Sequence, residues 1–127
     1  STALRHAGEK VSGLIQDALA RSQVGTSAYG VHAEPGQSSV ILFIDSDNDL
    51  QFDAGEGVET LQLDARGEVT VRNDPGDMVI DAVFIPPTPT IRINGDPGIT
   101  QTSFVFTHPR VGTAQSVNLN VVSGRVD

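Results

Sequence analysis

Apolar residues change their rhythm once along this chain. Through residues 1–22 they recur at Leu4, Ala7, Val11, Leu14, Ile15, Ala18 and Leu19, spaced 3, 4, 3, 1, 3 and 1 apart. That is the rhythm of a single stripe on a helix with 3.6 residues per turn. Asp17 and Arg21 stand at the favourable i,i+4 spacing on its polar side. Gly8 and Gly13 each weaken such a helix by about 1 kcal/mol relative to Ala, and their small size suits a helix lying close to a sheet. The pattern breaks over Ser22–Ser27, with Gly25 as the expected stop. The stripe predicts Leu14, Ile15 and Leu19 buried on a sheet, with Glu9, Gln16 and Arg21 facing outward.

Beyond residue 28 the chain reads as short β runs separated by turn chemistry. The runs are Tyr29–Glu34, Ser39–Ile44, Val58–Asp64, Glu68–Arg72, Met78–Ile85, Thr90–Ile93, Ser103–Thr107 and Ser116–Val122. Between them lie Pro35-Gly36, Asn73-Asp74-Pro75-Gly76, Pro86-Pro87 and Asn94-Gly95-Asp96-Pro97-Gly98. Ala65-Arg66-Gly67 is a three-residue connection that predicts a hairpin between its two flanking runs. The expectation is an α+β fold, one N-terminal amphipathic helix packed on seven or eight antiparallel strands. It forms a single domain over residues 1–127, with the helix at 1–22 and the β part at 28–127.

Composition narrows the function. The chain has 127 residues, 16 acidic against 8 basic, and a net charge of −8. That balance argues against non-specific binding to nucleic acid or anionic lipid, both of which need basic patches. There is no cysteine, so disulfides, thiolate metal sites and cysteine nucleophiles are excluded. No apolar run reaches the 18 or so residues a membrane-spanning helix needs. Six aromatic residues and no Trp supply poor material for a sugar-stacking platform. No phosphate loop, nucleophile elbow or paired-histidine metal motif occurs. His6, His32 and His108 read as surface or internally satisfied histidines, and the chain reads as a non-enzyme.

The sharpest chemical signal is the loop Asp45-Ser46-Asp47-Asn48-Asp49-Leu50-Gln51-Phe52-Asp53-Ala54-Gly55-Glu56. Its carboxylates fall at positions 1, 3, 5, 9 and 12, and an EF-hand-type calcium loop takes ligands at 1, 3, 5, 7, 9 and 12. Position 7, a backbone carbonyl in such loops, is Gln51, and the apolar Phe52 follows as an anchor to the core. The candidate calcium ligands are therefore Asp45, Asp47, Asp49, Gln51, Asp53 and Glu56. Five of the sixteen acids crowd into this segment with no basic residue among them. A hard cation with six to eight oxygen ligands relieves that repulsion. Leu50 stands where EF-hands carry Gly, which predicts a less sharply turned loop, and β runs rather than helices flank it. The alternative is a solvated acidic turn, since Asp and Asn are turn formers in their own right.

The order of these parts resembles a known group. A helix ending in Gln16-Asp17-Ala18-Leu19-Ala20-Arg21-Ser22 leads to a strand around Tyr29-Gly30-Val31. Ile41-Leu42-Phe43-Ile44-Asp45 follows, then the acidic loop with Asp53-Ala54-Gly55-Glu56, and near the end Ser123-Gly124-Arg125. The sequence is similar to the GspH/FimT-type minor pilins and pseudopilins across nearly its whole length. The resemblance implies a non-enzymatic subunit of a type IV pilus-like or type II secretion filament. It implies an upstream apolar helical segment, cleaved after a leader by a prepilin peptidase, that anchors the subunit in the bacterial inner membrane. It further implies other pilin subunits as partners through the helix and a β domain outside the membrane, in the periplasm or at the cell surface. Some members bind DNA through a basic C-terminal region, but the last strands here offer only Arg110 and Arg125 beside Asp127, which makes DNA an unlikely partner. Two other readings use the same residues: a free-standing calcium-dependent binding or adhesion module and, more remotely, a carboxylate-using hydrolase.

Overall fold

The computed structural model describes residues 1–87 and 90–127. The stripe forms helix α1 over Thr2–Val24. Ser1 caps it, its Oγ accepting the N–H of Leu4, and at the other end the Gly25 N–H donates to the Arg21 carbonyl at 3.2 Å. Gly25 then runs extended, so the helix ends at the predicted glycine without a left-handed residue. Leu4, Ala7, Val11, Leu14, Ile15 and Ala18 are buried, Leu19 is partly buried, and Glu9 and Gln16 face outward. Gly8 lies so close to the sheet that a Cβ there would sit 3.2 Å from Gln115 Cγ, whereas Gly13 faces open space.

Among the described residues eight strands follow: β1 (Ala28–Ala33), β2 (Ser39–Asp45), β3 (Gly57–Gln62), β4 (Thr70–Asp74), β5 (Ile80–Ile85), β6 (Thr90–Ile93), β7 (Gln101–His108) and β8 (Val111–Asn120). They form a five-stranded sheet in the order β3-β2-β1-β5-β6 and a three-stranded sheet in the order β4-β7-β8. Every paired neighbour is antiparallel. Helix α1 packs against both sheets, touching β1, β2, β5, β7 and β8. Its stripe shares one apolar cluster with Val31, Val40, Leu42, Val71, Phe84, Phe104, Phe106 and Leu119.

Two expectations need correction. Residues 65–67 do not join a hairpin: β3 pairs only with β2, β4 pairs only with β7, and the chain changes sheets between them. Asp64 replaces the ladder here, its carboxylate accepting the N–H groups of Glu68 and Val69 at 3.2 Å each, while Leu63 and Val69 are fully buried on either side. The last strand also begins earlier and ends earlier than its apolar residues suggest. It forms a hairpin with β7 through Pro109-Arg110 and stops at Asn120, whose side chain accepts the N–H groups of Val122 and Ser123.

The five-stranded sheet also has an outer face, turned away from α1, with a small apolar cluster of its own. Ala28, Phe43 and Val83 are buried there, with Ile41, Leu50, Phe52 and Ile85 packed around them. Gly30 makes room for the Phe43 ring, since a Cβ at that position would lie 2.5 Å from Phe43 Cζ. A strand glycine used for close approach is the sequence mark of such a contact.

Candidate metal centre

The acidic loop spans the turn from β2 to β3 and is tied shut at its ends. Ile44 N–H donates to the Glu56 carbonyl, and Glu56 N–H donates to the Asp53 carbonyl. The buried Glu56 carboxylate adds three bonds: Ser46 N–H and Oγ–H donate to its Oε2 at 3.0 and 3.1 Å, and Asp53 N–H donates to its Oε1 at 2.8 Å. Asp45 Oδ2 accepts the Leu50 N–H at 3.0 Å. Asp47 and Asp49 each accept the N–H two residues on, at 3.4 and 3.0 Å. Loop carboxylates thus orient loop amides, and the backbone reverses over a few residues.

Four of the six candidate ligands converge. Asp45, Asp47, Asp49 and Glu56 each offer an oxygen, and these atoms all lie within 4.8 Å of one another. Asp45 is only 2% exposed, and its Oδ1 is buried without a hydrogen-bond partner, as is Asp53 Oδ2. A buried carboxylate oxygen left unpaired is costly, and this one belongs to a cluster able to hold a cation. Asp53 stands outside the group of four, with the Asp49 carboxylate as the strongest influence on its own. Gln51 is exposed, its N–H donates to Asp49, and it lines a surface cavity with Val79, Asp81 and Asn94.

Protonation records the crowding. Burial, reinforced by Asp47 and Asp49, pushes the Asp45 carboxyl up to about 6, with the Leu50 N–H pulling the other way. Asp53 is pushed up to about 7, first by the neighbouring Asp49 carboxylate and then by burial, and the same pairing holds Asp49 below its ordinary value. Charges about 5 Å apart repel by about 1 kcal/mol per pair in water and by several in less polar surroundings. Protons supply part of the relief here, and a divalent cation would supply more.

Leu50 does not relax the turn as expected. It takes the left-handed conformation itself, at φ 63°, alongside Asn48 at 58° and Gly55 at 92°. For a leucine this costs roughly 1–2 kcal/mol. Its side chain packs into the outer-face cluster, which offsets the cost.

Phe52 anchors the loop to the sheet as the sequence predicts, but its partners His32 and Asp81 were not foreseen. Phe52 lies over the outer face with its ring 4.6 Å from that of His32 and 5.4 Å from that of Phe43. Its N–H donates to Asp81 Oδ2 at 3.2 Å, while Asp81 Oδ1 accepts from His32 Nδ1 at 2.5 Å. Glu34 stands 3.5 Å from the other ring nitrogen. Burial works against the charged imidazole, but Asp81 and then Glu34 outweigh it and raise the His32 pKa. Asp81 could have been found as the single charge inside the run Ile80-Asp81-Ala82-Val83-Phe84-Ile85. Elsewhere, Arg110 pairs with Glu68 and Arg125 with Asp127, both at 2.8 Å, and Arg92 donates to the Ile91 carbonyl.

One helix laid across two antiparallel sheets is the arrangement of a minor-pilin-type fold. Among solved structures the chain is similar to the type IV minor pilin FimU of Pseudomonas aeruginosa, with a TM-score of 0.65 at 11% identity over 98% of this chain and 86% of that one. No family model and no curated protein matches the sequence. No helix among the described residues is long and apolar enough to cross a membrane.

Proposed function

We propose that this chain is a non-enzymatic structural subunit, a minor pilin or minor pseudopilin, of a type IV pilus-like or type II secretion filament. The observation that carries the proposal is the fold shared with a type IV minor pilin over nearly the whole chain, at a sequence identity too low to reflect anything but architecture. In this reading an apolar helical segment upstream of α1 anchors the subunit in the inner membrane, and the β sheets stand outside it. The α1 stripe is spent on the chain's own sheets, so neighbouring subunits meet the polar face around Arg5, Glu9 and Gln16 rather than the apolar one. Cysteine cross-linking from Glu9→Cys and Gln16→Cys, in cells assembling the filament, tests this. Adducts with other pilin subunits in the sheared filament fraction are expected. Recovery of the chain only as an unlinked protein outside that fraction would contradict the proposal and favour a free-standing module.

The loop fits one structural calcium ion. Asp45, Asp47, Asp49 and Glu56 would hold it, with Asp53 and the Gln51 carbonyl completing an all-oxygen set suited to a hard cation. The partnerless Asp45 Oδ1 supports this part of the reading. The ion would supply positive charge to a turn that otherwise relies on protons, fixing the β2–β3 connection. Magnesium would do less, since it demands octahedral geometry and dehydrates reluctantly. The carboxylates that would form a hydrolase pair hold loop amides instead, which supports a structural role.

A further inference from the structure

We propose that Asp81 is the positioning residue of the acidic loop, holding it in its ion-ready shape from a strand two places away in the sheet; this rests on the calcium reading above. Asp81 lies in β5, with β1 between it and the strand that feeds the loop. It is 8% exposed and every polar group it carries is engaged. Its N–H donates to Asn94 Oδ1 at 2.8 Å and its carbonyl accepts the Asn94 N–H at 2.9 Å, which pins the β5–β6 end. Its two carboxylate oxygens divide between the His32 ring and the Phe52 amide. The Phe52 N–H shares its rigid peptide plane with the Gln51 carbonyl, a candidate ligand, so fixing the one aims the other.

The side chains repeat the connection. The Phe52 ring is held between His32 and Phe43, and His32 is itself aimed by Asp81. One carboxylate therefore sets the amide and, through the imidazole, the ring of the same residue. This is the arrangement of an outer-shell partner around a metal site, where a group that never touches the ion orients those that do. Removing such partners typically weakens metal affinity by about 10–100-fold. Of the remaining loop anchors, the Glu56 bonds and the Leu50 N–H bond to Asp45 lie within the loop itself, and the Leu50 side chain adds apolar contact with the sheet.

The test compares wild type with Asp81→Ala, Asp81→Asn and the core variant Ile15→Val, using calorimetric titration with calcium chloride and amide hydrogen exchange by NMR in EDTA. Asp81→Ala is expected to weaken calcium binding at least tenfold and to speed exchange at Phe52 at least tenfold. Asp81→Asn keeps an acceptor for the Phe52 N–H, so it should fall between the two, and it carries the comparison if the alanine variant does not fold. Ile15→Val should lower the melting temperature and leave the calcium affinity unchanged, separating positioning from stability. Wild-type affinity with wild-type Phe52 exchange in the Asp81 variants would overturn the proposal. If wild type itself takes up no calcium, the metal reading falls while exchange at Phe52 still decides the positioning role: faster exchange in the variants supports it, and unchanged exchange overturns it.

Discussion

Asp45 is where the chemistry of this chain concentrates: a carboxyl removed from water, facing two other acids, with one oxygen unpartnered. Its proton leaves the folded protein near pH 6, against an ordinary value of 3.8. Between those limits the folded state binds more protons than the unfolded state, so this group's contribution to stability falls as pH rises. Asp53 acts with the same sign up to about pH 7, and His32, also raised, continues it upward. Scanning calorimetry in EDTA should therefore show Asp45→Asn gaining on wild type between pH 4.5 and 7.5. Calcium should reverse that order at pH 7.5, because an ion needs the deprotonated ligand that Asn lacks. A gap between the two proteins that does not move with pH in EDTA would contradict the assignment. The alternation of acids from Asp45 to Asp49 and the closing Glu56 were legible because ligand spacing along a short loop is a local property. The meeting of Asp81 and His32 with Phe52 was not, since β5 and β1 bring them there from 29 and 20 positions away.

At the scale of elements, α1 carries the clearest prediction. Leu14 is buried in the cluster that joins the helix to the sheets, and Leu14→Ala should destabilise the domain by about 2–5 kcal/mol in urea unfolding. An unchanged midpoint would mean that the helix is not docked through this face. The helix was readable almost to its ends because one period governs its buried apolar positions and Gly25 stops it. Strands β1, β2 and β5 were readable because they are apolar and bounded by turn residues. The first half of β8 was not, for Gly112-Thr113-Ala114-Gln115-Ser116 is exposed and owes its strand form to pairing with β7. The sheet change at residues 63–69 was hidden for a related reason. A three-residue turn motif looks the same whether its flanks pair with each other or with strands brought from elsewhere, and only burial of both Leu63 and Val69 decides it.

For the molecule as a whole, charge and fold point the same way. Arg110 and Arg125 are paired with acids on a body of net charge −8, which weighs against binding a phosphate backbone. Fluorescence anisotropy with duplex DNA at physiological salt should show no binding in the micromolar range, and a micromolar isotherm would contradict this. Calcium should act on the entire domain, since the loop that would hold it packs on the outer face of the same sheet that buries α1. An ion that binds only the folded state adds about 2.7 kcal/mol at 100 times its dissociation constant. For a domain of this size that raises the melting temperature by roughly 10 °C. The decisive measurement is thermal unfolding of wild type and Glu56→Gln, each in millimolar calcium and in EDTA. A calcium-dependent rise on the order of 10 °C in wild type, largely lost in Glu56→Gln, is the predicted result. A wild-type melting temperature that is the same in EDTA as in calcium, with no heat of calcium binding, would show the loop to be an acidic turn and nothing more.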